Sequence, residues 1–320
     1  MALAAGALAA GRAGASCGAE GCPLEIRGPE SGAGRFGFEV GYQFVDQNRL
    51  WDGSGVAGPP DADEHEVEVR TRTESWLATA RGQFGRRLLV TSTLPYLDRM
   101  HLHLVQHHLG YFIPAQWHYQ GFGDLLTSAQ YTVLGAAPGQ KTSLALRAGI
   151  KLPTGRTNVP EIDGEQPEPP ARPGSGSTDF ITGFQLRRQV DTRTLKGQVV
   201  PVAMSLSASW RANGKGTEEY RMGNEAQATL AGGYALSGPL RLLMQVNWRH
   251  HEGDDVGEST EGGHTTAGTS VYVTPGLRGQ VTNQITAFGY WQFRAYEHTD
   301  GPQLVAPHHL LFGLSYSFTQ

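Results

Sequence analysis

From Arg35 onward the chain alternates. Phe36, Phe38, Val40, Tyr42 and Phe44 are separated by Gly37, Glu39, Gly41 and Gln43. A strand has a side-chain period of two, so every large apolar residue of this stretch lies on one face and every small or polar residue on the other. The rhythm returns at the far end, where Leu310, Phe312, Leu314, Tyr316 and Phe318 alternate with Leu311, Gly313, Ser315 and Ser317. Between these ends the pattern predicts strands over 66–80, 88–96, 124–134, 142–152, 179–188, 199–211, 224–234, 240–249, 266–276 and 284–296, with a last strand over 308–318. Segments 266–276 and 284–296 carry apolar residues on both faces, and their facing is ambiguous.

That makes twelve strands, and their connections alternate between long and short. The long ones are rich in Gly, Pro and polar residues, as in 47–64, 98–120 and 153–176; the short ones include 82–86, 135–140 and 237–239. An even number of strands with tight turns at one end and long loops at the other is the arrangement of an up-and-down barrel in a bacterial outer membrane. A soluble sandwich is the alternative. Strand 66–80 argues against it, because Glu66, Glu68, Arg70, Arg72 and Glu74 share one predicted face, opposite Val67, Val69, Thr71, Thr73 and Leu77. Five charges in a row need water, and a filled core has none to give. The expected fold is therefore all-β: a transmembrane antiparallel up-and-down β-barrel of about 12 strands, with lipid against its apolar face.

Composition agrees without deciding. Hydrophobic residues make up 39%, and no later run is long enough for a membrane-spanning helix, which a barrel does not need. A formal net charge of −4 with no Lys/Arg-rich run excludes a nucleic-acid partner. Residues 1–16 are small and apolar and read as the remnant of a secretory signal; 17–34 read as a periplasmic segment, and 35–320 as the barrel. The only cysteines, Cys17 and Cys22, fit either a local disulfide or a lipid on Cys17.

Three short stretches carry a resemblance. They are Gly121-Phe122-Gly123-Asp124, then Lys151-Leu152-Pro153-Thr154-Gly155-Arg156, then Gly174-Ser175-Gly176-Ser177-Thr178-Asp179. With the strand end Leu94-Pro95-Tyr96, they make residues 36–190 resemble outer-membrane proteins of the meta-pathway phenol-degradation type. The resemblance implies a transporter barrel passing small compounds, often aromatic or hydrophobic. Physically, Asp124 and Asp179 open strands at the outer rim, where a carboxylate caps backbone N–H groups or pairs with Lys151 or Arg156.

The function expected is an outer-membrane channel or transporter for small solutes, not an enzyme: no spacing of nucleophile, base and carboxylate singles out a catalytic set. Its partners would be membrane lipid, a small-molecule solute and the outer-membrane assembly machinery. The expected pore-lining charges are Glu39, Glu66, Glu68, Arg70, Arg72, Glu74, Arg147, Lys151, Arg187, Arg241 and Arg249. They place acids on the first two strands and bases on later ones, hence a field across the pore. All twelve histidines fall in expected outer loops or at outer strand ends. His101, His103, His107, His108 and His118 share one such loop and are candidate ligands for a transition metal such as Zn(II) or Cu(II), the only cofactor expected. A metal-binding surface barrel is thus one alternative; a closed structural or adhesive barrel is the other.

Overall fold

The computed structural model describes residues 35–58, 66–106, 111–137, 139–160, 166–193, 199–237, 239–256 and 267–318. The signal remnant 1–16, the segment 17–34, both cysteines, and His107 and His108 lie outside these. Among the described residues fifteen strands follow one another: β1 Phe36–Gln47, β2 Arg49–Gly53, β3 Gly55–Val56, β4 Glu66–Phe84, β5 Leu88–Gln106, β6 Phe112–Phe122, β7 Leu125–Leu134, β8 Thr142–Leu152, β9 Asp179–Arg193, β10 Val199–Ala212, β11 Glu225–Ser237, β12 Leu240–His251, β13 Gly268–Gln280, β14 Ile285–Val305 and β15 His308–Phe318. Among the described residues no helix is long and apolar enough to cross a membrane.

Twelve of these strands close into an antiparallel barrel. Each pairs with its neighbour in the chain, and β1 pairs with β15 from Phe36↔Phe318 to Val45↔His309. Closure leaves no unpaired edge in the wall, which lipid would not tolerate. β2, β3 and β6 are extra: they extend the sheet beyond the rim, β6 on β5 and β2 on β14. Strand β5 is 19 residues long, about 60 Å at 3.3 Å per residue and roughly twice what a bilayer core requires. The polar stretch 98–120, expected as a loop, is thus mostly a hairpin standing above the rim.

The apolar faces are where the alternation puts them. Phe36, Phe38 and Val40 on β1, Phe180, Phe184 and Leu186 on β9, Leu242, Met244, Val246 and Trp248 on β12, and Phe312 and Leu314 on β15 are all exposed on the outside. Their neighbours Gln43, Gln245, Asn247 and Ser315 are buried in the interior. Strands β13 and β14 were unreadable for a physical reason: Tyr272, Phe288 and Tyr290 point inward, and Phe288 and Tyr290 join Leu243 and Leu311 in an apolar cluster inside the barrel, with Leu77 packed against it.

Strand β4 departs from the expected facing. Glu68 stands opposite His103 and Arg70 opposite Leu102, so Val69 is an extra residue without a partner on β5. This bulge shifts the alternation by one residue. Below it Thr71, Thr73, Ser75 and Thr79 point inward and are buried, while Arg70, Arg72 and Glu74 point out on the same face as Trp76. They do not line the pore. The outward charges satisfy one another near the rim instead: Arg70 Nε donates to Asp46 Oδ1 at 2.7 Å, the Tyr42 hydroxyl donates to Glu74 at 2.6 Å, and Arg72 pairs with Glu74.

Candidate functional site: the lumen and its inward-folded segment

The connection between β8 and β9 does not stay outside. Its residues Pro169–Ser175 are buried, and Pro170, Arg172, Pro173 and Ser175 line a cavity in the barrel interior. A chain segment rich in Pro and Gly has few side-chain donors of its own, so its carbonyls must find partners on the wall. They do. Arg99 Nη1 and the Tyr119 hydroxyl both donate to the carbonyl of Ala171, Arg99 also reaches that of Pro170 at 3.3 Å, and Arg172 Nε donates to Pro167 at 2.8 Å. Val159, earlier in the same connection, packs on Trp117 and Tyr119 of β6.

The root of this segment is a buried ionic knot. Lys151 Nζ, at the end of β8, lies 2.7 Å from Asp179 and 3.4 Å from Asp124, and donates to the hydroxyls of Ser175 at 2.6 Å and Ser177 at 3.2 Å. Asp124 in turn accepts from the backbone N–H of Gly155 at 2.9 Å and of Ser175 at 3.0 Å. Asp179 Oδ1 accepts from the Ser177 hydroxyl and from the N–H of Gly214, on the next outer connection. Close approach is required here: a Cβ at Gly155 or Gly174 would lie 2.7 Å or less from the backbone of the facing segment. The three sequence motifs therefore converge on one junction. Arg156 stays apart, bonded to the carbonyls of Asn158 and Gln120.

Below the segment lies the cavity, of about 300 Å³. Of the charges expected in the pore, Glu39, Arg147, Lys151 and Arg187 line it. Arg241 and Arg249 sit on the inward face of β12 without lining the cavity, and Arg249 Nε donates at 2.8 Å to Oε2 of Glu225. Glu68 points inward above it, and the side chain of Glu66 lies outside the described residues. Further cationic lining comes from Arg99, Arg172, Arg211 and Arg278, and acidic lining from Asp124 and Glu225. Arg211 was legible, since it alternates with Trp210 on β10; Arg99 was hidden in a stretch expected to be loop, and Arg278 lay beyond the expected end of its strand at 276, which the structure extends to Gln280. With Glu74 of β4 turned outward and Glu68 above the cavity, the wall of β8, β9 and β10 is rich in arginine and the facing wall is mainly neutral around Glu39. Leu77, Leu89, Leu97, Leu126, Phe288 and Leu311 add an apolar share to the lining.

The candidate histidines separate. His101 and His103 point inward from β5, fully buried, with ring centroids 4.2 Å apart and Trp117 beside both. Beside them are two carboxylates: Glu68 of β4, and Glu168 of the inward-folded segment. The four donor atoms lie within 4.8 Å of one another. The hydroxyl of Thr71, 2.7 Å from His101 Nδ1, orients that ring so that Nε2 faces Glu168 at 3.4 Å. Burial would push the Glu168 carboxyl up, but the contact with His101 and the charges of His103 and His101 outweigh it and hold it down at about 2. His118 does not join them. It lies on the opposite face of the hairpin, exposed, 2.8 Å from Asp98. No sequence pattern linked Glu168 to these histidines, because it is brought in from more than sixty positions away by the folding of a loop.

Residues 47–305 match a protein family that is described by the MetA-pathway of phenol degradation. The span is most of the chain. This protein belongs to that family. Among solved structures, it is similar to an outer-membrane channel from Pseudomonas putida F1, at 12% identity with a TM-score of 0.60, covering 93% of this chain and 99% of that one. It is also similar to the transport unit of the autotransporter AIDA-I from Escherichia coli, again at 12% identity, with a TM-score of 0.51 and coverage of 92% and 94%. Likenesses at this identity speak to the fold: this MetA-pathway family member is a barrel of the bacterial outer membrane. Among curated protein sequences none matches it.

Proposed function

We propose that this barrel is a gated outer-membrane channel for small aromatic or otherwise partly apolar anions. The observation that carries the reading is the cavity: about 300 Å³, walled on one side by Arg147, Arg187 and Arg211 and bounded elsewhere by Leu77, Leu126, Phe288 and Leu311. A cavity of this size suits a single ring with a short substituent, and its lining pairs apolar surface with a few placed charges, as small-molecule sites do. Arginine prefers carboxylate to neutral partners because its planar fork meets both oxygens. Segment 166–178 would be the gate, since it caps the cavity from the outside. Insertion into the membrane would rest on the assembly machinery, with β15 as the closing strand.

The test is uptake into proteoliposomes containing the purified barrel. Benzoate should enter these faster than it enters empty liposomes, and Arg147→Ala with Arg187→Ala should remove most of that excess. Equal entry of benzoate into barrel-containing and empty liposomes would overturn the reading. The burial of Pro169–Ser175 supports a second reading, a barrel closed by its own loop with a structural role, and the absence of any conductance would favour it.

A further inference from the structure

The cluster of Glu68, His101, His103 and Glu168 is explained neither by the cavity nor by solute passage. Four ionisable groups are gathered above the cavity with His101, His103 and Glu68 almost wholly removed from water. Burying such groups is costly unless something binds them together. We propose that they hold a divalent transition metal of the zinc class, and that this metal latches the inward-folded segment to the barrel wall.

Geometry is the first argument. In a tetrahedral zinc site with ligand bonds of about 2.0–2.2 Å, neighbouring donor atoms stand about 3.3–3.6 Å apart. Here Nε2 of His101 is 3.4 Å from Glu168 Oε2, and Nε2 of His103 is 3.6 Å from Glu68 Oε1. Nε2 of His101 also stands 3.8 Å from Glu68 Oε1. These spacings are long for hydrogen bonds and suited to a shared ion. The donor set is the second argument. Two imidazoles and two carboxylates are borderline ligands that match Zn(II), and the two negative charges offset the charge of the ion. The support around the ligands is the third. Thr71 fixes the ring of His101 through Nδ1 at 2.7 Å, as outer partners of ligating histidines do, and Trp117 covers both rings against solvent.

The site joins two parts of the chain with different freedom. Glu68, His101 and His103 are on paired wall strands β4 and β5, whereas Glu168 immediately precedes the turn Pro169–Ala171 that fills the outer mouth. An ion bound by all four fastens that turn in place. The metal proposal stands whether or not the barrel conducts; only its effect on gating rests on the channel reading.

Isothermal titration of the purified, detergent-folded barrel with ZnCl₂ tests the site, together with Co(II) absorption on the wild-type protein as a readout that needs no variant. One ion per chain, and an intense visible Co(II) band of the tetrahedral type displaced by Zn(II), are expected. Glu168→Gln should weaken binding by about 10–100-fold, and His101→Ala with His103→Ala should abolish it, while His118→Ala leaves it unchanged. Heat-modifiable gel mobility establishes that each variant is folded. Absence of Zn(II) heat and of a Co(II) band in the wild type, or binding that survives loss of both histidines, overturns the site. Wild-type affinity in Glu168→Gln overturns the latch. Conductance is then recorded with and without a chelator: a rise on metal removal supports gating, and unchanged conductance in a barrel that does bind zinc removes the gating role and leaves the channel reading intact.

Discussion

Lys151 Nζ lies 2.7 Å from Asp179 Oδ2, with both side chains 2% exposed or less, and this contact ties the end of β8 to the first residue of β9. The 26 residues between those strands could otherwise swing free of the mouth. Removing one partner of a buried pair leaves the other charge without compensation, at a cost of about 3–5 kcal/mol. Lys151→Met is therefore expected to destabilise the barrel by that amount in urea unfolding from lipid vesicles. A loss below about 1 kcal/mol, typical of exposed pairs, would show that the segment is fastened elsewhere.

Asp124 acts on the backbone of the same segment. Its carboxylate receives the N–H groups of Gly155 and Ser175 and the Ser175 hydroxyl. Asp124→Ala leaves one buried and one half-buried backbone donor unmet, at about 1–3 kcal/mol for the buried one. Cleavage by trypsin after Arg156 should become roughly tenfold faster or more, because about 1.4 kcal/mol is a factor of ten, whereas Ser175→Ala should have the smaller effect. Equal digestion of wild type and Asp124→Ala would sink this account of the motif.

The outward charges of β4 and the lumenal charges of β9 should behave differently. Arg70 is partly exposed and paired with Asp46 at the outer rim, so Arg70→Ala should cost less than about 1 kcal/mol and leave ion selectivity unchanged. Arg187 lines the cavity, and Arg187→Ala should shift the reversal potential in a KCl gradient toward cation preference. A selectivity change at Arg70 and none at Arg187 would reverse the assignment of faces.

The lipid face has its own test. Met244 is exposed in the middle of β12 between Leu242 and Val246, and a cation there would face hydrocarbon. Met244→Arg should destabilise the barrel by about 2–4 kcal/mol, with Met244→Leu near neutral. The difference in unfolding midpoint between the two variants measures it.

The fold was legible because a strand wall with lipid on one side and a polar interior on the other writes its period into every segment; β1, β12 and β15 can be oriented by eye. The candidate sites were less so, for three separate reasons. A bulge carries no marker in the sequence: Val69 continues the alternation of valines and glutamates, yet it is the residue without a partner, and Arg70, Arg72 and Glu74 were misplaced because of it. The hairpin of β5 and β6 was hidden by its polarity, since His101 and His103 face other polar groups rather than lipid. The direction of 166–178 is set by distant partners. Nothing within Pro169–Ala171 indicates that Arg99 and Tyr119 await its carbonyls. Lys151 and Asp179 were paired correctly as residue types at a rim, but not as the root of a segment that turns inward.

The unpaired residue of β4 makes the wall's inside and outside interchangeable by length alone. Excising Val69 would leave every other side chain of the protein unchanged and still oblige one of two stretches of β4 to exchange its environments. Either Glu68 would leave the two imidazoles for solvent, or Thr71, Thr73 and Ser75 would meet lipid while three charges entered the barrel. For this strand, counting residues matters more than choosing them, and insertions or deletions at that point should be far rarer among natural variants than replacements.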